Sequence, residues 1–81
     1  MELSGKQLAL IRKAYRLSPR ETQMVDLIMR GVERNQDIAF VLEVSVLTAK
    51  TYVRDLHAKF RTGSKLQLAL RVLDTLDEQG R

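Results

Sequence analysis

The sequence predicts an all-α domain of four helices, preceded by a short N-terminal helix. Three observations carry this expectation. Apolar residues recur at spacings of three and four along most of the chain. Serine-led start signals stand ahead of the periodic segments. One proline, two tyrosines and two phenylalanines leave little material for a sheet protein with many turns. At 81 residues the chain makes one domain, near the lower range in which a core forms without staples. There is no cysteine, so neither disulfides nor thiolate metal ligands assist.

Residues 1–16 are an N-terminal extension, and LSGKQLALIRKAYR (3–16) reads as an amphipathic helix weakened at its start by Gly5. Leu3, Leu10, Ile11 and Ala14 are its apolar set, suited to packing on the domain or to a dimer contact. Ser18-Pro19-Arg20-Glu21 is the clearest helix start, with Ser18 as cap, Pro19 in the first turn and Glu21 closing a capping box. That helix runs through Met24, Leu27 and Ile28 and stops near Gly31. A short helix follows from about Asn35 or Gln36, burying Ile38, Ala39 and Leu42. A break at Glu43-Val44 leads to Ser45, the cap of a helix that ends around Arg61–Gly63. Ser64-Lys65-Leu66-Gln67 is a second capping box and opens a last helix through Leu70, Leu73 and Leu76, with Leu66 and Ala69 expected in the core. The folded domain spans 17–76, and 77–81 form a polar tail.

Net charge is +4 and the pI about 9.9, which favours anionic partners. The cations are unevenly placed. Lys50, Arg54, Lys59, Arg61, Lys65 and Arg71 face only Asp55 within residues 46–71, whereas 17–45 and the last ten residues are acidic on balance. No apolar run is long enough to span a bilayer and no signal-peptide core is visible, so the expectation is a cytoplasmic, nucleoid-associated protein without a membrane partner. The single histidine, His57, has no partner for a triad or a metal site. It reads as a solvated residue or a weak phosphate donor, with the first preferred. Neither an enzyme nor a cofactor is expected.

On a 3.6-residue turn Ala49, Val53, Leu56 and Phe60 fall within a stripe about 60° wide. Lys50, Arg61, Arg54, Leu47 and Thr51 fall between about 100° and about 200° from Ala49. The outward side is therefore a row of cations with a hydroxyl and an apolar side chain beside it. Arg and Lys donate to guanine O6 and N7, and Thr and Leu meet thymine methyls. Two short helices joined by a tight turn, the second one basic, make a helix-turn-helix reading reasonable.

From Leu17 to about Arg71 the chain resembles the DNA-binding domain of LuxR/NarL/FixJ-type bacterial transcription regulators. The residues that carry the resemblance are LSPRE (17–21), Gly31 followed by Ile38-Ala39 and Leu42, the Ser45, Thr48, Lys50, Val53 series, and Lys59-Phe60 with Ser64-Lys65. It implies a four-helix domain with a central helix-turn-helix, acting on double-stranded DNA. It also implies base-reading positions at Lys50, Thr51 and Arg54, and backbone contacts at Thr48, Asn35, Gln36, Arg61 and Lys65. A last helix that forms a homodimer contact would use Leu70, Leu73 and Leu76; RNA polymerase or another regulator is a further partner to consider. Either a small stand-alone regulator or the C-terminal domain of a larger one fits the sequence, and Met1 favours the first. Two alternatives stand beside this reading: a sigma-factor region-4-like domain, and a helix-turn-helix fold used for protein interaction with weak or no specific DNA binding. Val46-Leu47 bears on the choice, because an apolar pair at the tip of a reading helix meets thymine methyls or marks a surface built for protein.

Overall fold

The computed structural model describes residues 1–79, which form five helices and no strand: α1 (Gly5–Tyr15), α2 (Pro19–Met29), α3 (Asn35–Leu42), α4 (Val46–Phe60) and α5 (Lys65–Gln79). Their starts follow from side chains that satisfy the free N–H groups of a first turn. Ser18 Oγ accepts from the Glu21 N–H at 3.1 Å while Glu21 Oε1 accepts from the Ser18 N–H at 2.8 Å, completing the box expected there. α1 begins with the same device, formed by Ser4 and Gln7. Gly5 occupies the first position of that helix and does not interrupt it. Ser45 Oγ caps α4 by accepting from the Thr48 N–H at 3.0 Å. At α5 only half of the expected box forms: Ser64 accepts from the Gln67 N–H, but Gln67 Oε1 turns one residue further back, to the Gly63 N–H at 2.7 Å.

The helix ends are less conventional. Arg16, Glu43 and Arg61 hold left-handed conformations, with φ of 54°, 56° and 56°. In each case the next residue's N–H bonds back into the last turn: Leu17 to Arg12, Val44 to Ala39 and Thr62 to His57. Gly31, at φ 97°, ends α2 as expected, whereas Arg61 itself, and not Gly63, turns the chain after α4. A β-carbon strains the left-handed region. Glu43→Gly should therefore raise stability by about 0.5–1 kcal/mol, the relief exceeding glycine's extra chain entropy. A thermal melt reads this as a rise of a few degrees, and an unchanged or lower midpoint would refute it.

The core lies where α2, α3, α4 and α5 converge. α4 contributes Ala49, Val53, Leu56 and Phe60, and α3 contributes Ile38, Ala39 and Leu42, all buried as the periodicity requires. α2 adds Met24, Val25, Ile28 and Met29. α1 belongs to the same unit, since Leu3 and Ile11 are buried. Its Tyr15 ring stacks on Phe60 with centroids 3.9 Å apart. Leu10 and Ala14 stay exposed.

α5 corrects the sequence reading. Its buried residues are Leu68, Val72 and Thr75, whereas Leu66, expected in the core, is 71% exposed. Thr75 is tolerated inside because its hydroxyl donates to the Arg71 carbonyl and accepts from the Tyr15 hydroxyl at 2.6 Å. The helix also continues through Gln79, beyond Leu76 into the expected polar tail; Gly80 and Arg81 lie outside the described residues.

Candidate nucleic-acid interface

α3 packs most extensively against α4, and the turn between them, Glu43 to Ser45, fixes how α4 projects. With its Ala49–Phe60 stripe held inward, Lys50, Thr51 and Arg54 are all exposed on its opposite side. Arg54 Nε lies 3.9 Å from Asp55 Oδ1, with both side chains largely in solvent; a pair of this kind holds little, so the guanidinium is free to reach outward. The Thr51 hydroxyl donates to the Leu47 carbonyl at 3.2 Å. Its proton is thus spent within the helix, and it offers an oxygen acceptor and a methyl group to anything outside. Thr48 differs: its oxygen already accepts from the Ser45 hydroxyl at 2.9 Å, which leaves its own proton to donate.

Beside this row is an open concavity of about 460 Å³ lined by Arg34, Asn35, Gln36, Val46 and Lys50. Lys65 is tied to it, since its ammonium donates to Asn35 Oδ1 at 3.0 Å. The first turns of α3, α4 and α5 therefore meet on one side, with cations from all three neighbourhoods. α3 has no side-chain cap at its N-cap Arg34, so unsatisfied N–H groups and the positive end of the helix dipole add to the cations. Arg34 was not among the sequence-derived candidates. Its only signal in the sequence is its place immediately before a helix, and its exposed pairing with Asp37 at 3.4 Å is weak. Val46 lines the concavity, while Leu47 stands exposed beyond it. Arg61 does not join the cluster: eleven residues beyond Lys50, it lies about 16 Å further along the helix axis.

Three other cations serve the fold. Arg20 Nη1 donates to the Leu42 carbonyl at the end of α3, Arg71 Nη1 to the Phe60 carbonyl at the end of α4, and Lys59 Nζ to the Arg16 carbonyl after α1. Each meets the negative end of a helix. Lys59 also binds Glu21 at 2.8 Å, which links the capping box of α2 to α4. Burial pushes the Glu21 carboxyl up, but the Lys59 ammonium and the Ser18 N–H outweigh it and hold the pKa below its ordinary 4.5. A lowered folded pKa gives stability that is present above 4.5 and lost as pH falls through the folded value. Glu21→Gln should thus destabilise the domain at neutral pH and flatten its acid unfolding limb. An unaltered pH dependence in urea titrations would show that Glu21 contributes nothing.

His57 is half-buried and its Nδ1 lies 2.9 Å from the Thr62 hydroxyl. Burial, with Lys65 nearby, lowers its pKa from 6.5, so the ring is neutral near pH 7. It is tied into the end of α4 and is not a solvated residue. Among the described residues no group of three or more His, Cys, Asp or Glu is placed to hold a metal ion. No helix there is long and apolar enough to cross a membrane.

The family described as bacterial regulatory proteins, luxR family, matches residues 15–72, a stretch that includes all of α2, α3 and α4. No curated protein and no solved structure gives a significant match to the chain.

Proposed function

The chain belongs to the LuxR family of bacterial regulatory proteins, a family of DNA-binding transcription-regulator domains, and from that premise we propose that it reads a specific duplex sequence as a homodimer with α4 in the major groove. The observation that carries the reading is the unobstructed Lys50, Thr51 and Arg54 row beside a cationic concavity. Lys50 and Arg54 donate to guanine edges, and Thr51, with its proton held by Leu47, offers its methyl to thymine or its oxygen to an exocyclic amine. Thr48, Asn35, Gln36 and Lys65 hold the sugar-phosphate backbone on the concave side, with Arg34 added to them. Arg61 takes a separate phosphate further along the groove wall. The protein would act at the nucleoid in the cytoplasm.

Homodimerisation is assigned to α5. Leu66, Leu70 and Leu73 are 71%, 53% and 38% exposed and stand at the i, i+4, i+7 spacing of a helix seam. Leu76, which the sequence reading placed in that contact, packs against the core instead; Leu66 takes its place. Two copies joined there would address half-sites about one helical turn apart. Leu70→Glu should leave the monomer folded and abolish the dimer in analytical ultracentrifugation. A dimer that persists would place the contact elsewhere.

Selection from random duplex DNA, followed by binding across a salt series, tests the whole reading. Enrichment of one two-part sequence supports it. Weak binding without any enriched sequence, falling steeply with salt, would replace it with the interaction-module alternative.

A further inference from the structure

α3 carries a second surface that the DNA reading leaves unused. Phe40 is 84% exposed and Val41 53% exposed, on the side of α3 away from its buried Ile38, Ala39 and Leu42. An aromatic ring so exposed on a core helix costs solubility and gives nothing to packing. Its surroundings are acidic: Asp37 lies one turn before Phe40 and Val41 on the same face, Glu43 lies one turn after Phe40, and Glu33 borders the same depression. Duplex DNA is a poor occupant for a face with three carboxylates and one cation, Arg34.

α1 presents the complement. Leu10 is 41% exposed, with Lys6 one turn before it and Lys13 one turn after. Neither lysine makes an ion pair among the described residues. Leu10, Lys13, Ala14 and Gln79 line a depression of about 320 Å³ between α1 and the end of α5. Leu10 and Ala14 give this open depression an apolar floor, and Lys13 and Gln79 give it a polar rim. In charge the two faces are complementary, a ring among carboxylates against Leu10 and Ala14 beside lysines.

We propose that α3 of one copy docks on α1 of another, with Phe40 seated in the Leu10–Ala14 hollow and the Glu33, Asp37 and Glu43 carboxylates facing Lys6 and Lys13. The two patches are different, so the contact is head-to-tail and repeats from copy to copy, into a ring where the rotation closes and an open chain where it does not. It is distinct from the α5 seam and leaves Lys50, Thr51 and Arg54 free, sharing with the cationic concavity only Arg34. A contact of one ring and a few exposed charges is small and weak. It has its effect where copies are already concentrated, on adjacent sites of one DNA molecule.

The test uses the protein without DNA, so that its outcome is separate from that of the DNA reading. Sedimentation and light scattering of the wild type over a concentration series should show association beyond the dimer, weakened by added salt. Phe40→Ala and Leu10→Asp should each weaken that association about tenfold or more, with circular dichroism confirming that both are folded. Mixing the two should restore extension, because α5 dimers of the first retain two intact α1 faces and those of the second two intact α3 faces, so the dimers alternate. Lys13→Glu should also abolish extension, and adding Glu33→Lys to it should recover extension in part. The proposal is overturned if the wild type never exceeds the dimer, if its association ignores Phe40→Ala, or if the mixture behaves as the sum of its parts. A wild type that stays dimeric yet binds a lysine-rich amphipathic peptide would assign the face to another protein.

Discussion

Phe60→Ala is expected to lower the urea midpoint of the domain far below that of the wild type. Phe60 has no exposed surface, ends the apolar stripe of α4 and stacks on Tyr15. Truncating a buried phenylalanine costs about 3–5 kcal/mol, because the transfer energy is lost and a cavity remains. A chain of this size has only about 4–12 kcal/mol in total, at 0.05–0.15 kcal/mol per residue. The loss is also not local. α1 is fastened through the Tyr15 stack and the Tyr15–Thr75 hydrogen bond, so removing the ring loosens three helices together. Urea titration followed by circular dichroism measures this directly. Tyr15→Phe serves as the graded comparison, retaining the stack while leaving Thr75 without its donor, and should cost about 1 kcal/mol. A Phe60→Ala protein with wild-type midpoint would mean that the Tyr15, Phe60 and Thr75 arrangement carries no stability.

Arg54→Ala and Lys50→Ala should each weaken binding to the selected operator by about 1–3 kcal/mol, about 5- to 150-fold, while changing affinity for scrambled duplex much less. The asymmetry decides their role. A base contact contributes only on the right sequence, whereas a phosphate contact contributes on all. Thr48→Ala supplies the contrast, since it should weaken operator and scrambled DNA by a similar factor. Lys50 and Arg54 are one turn apart on the same face, so the double variant is expected to depart from additivity. Equal losses on both DNAs for Arg54→Ala would move that residue to the backbone set.

The sequence and the structure agree most closely where one periodic stripe decides a helix. In α4 one apolar stripe, Ala49, Val53, Leu56 and Phe60, is found buried, and in α3 the assigned Ile38, Ala39 and Leu42 are buried while Phe40 and Val41 stand exposed. α5 has two apolar stripes, Leu66-Leu70-Leu73 and Leu68-Val72-Leu76, and periodicity alone does not say which one meets the core. The inward one includes Thr75, a polar residue made acceptable only by a tyrosine sixty positions away. Such long-range compensation has no local trace. The same holds for Arg20, Lys59 and Arg71, whose acceptors are carbonyls at the ends of helices and, for Arg20 and Lys59, distant in the chain. At the interface the outward row of α4 was legible from the helical angles. The meeting of Asn35 with Lys65, and the place of Arg34 beside them, depends on how α3 and α5 are set against α4.

The carbonyl-bound cations bear on how this protein should respond to ionic strength. Each phosphate neutralised on B-DNA sheds condensed counterions, and the logarithm of the binding constant falls with the logarithm of salt at about 0.9 per phosphate. If all six cations of residues 46–71 took part, that segment would contribute a slope of about −5.4 per copy. Lys59 and Arg71 are already committed to helix ends and displace no ions when DNA arrives. With Lys50 and Arg54 turned to base edges, Arg61 and Lys65 remain as phosphate contacts and the segment's share falls to about −1.8 per copy, a gentler dependence than the bare charge of the chain suggests.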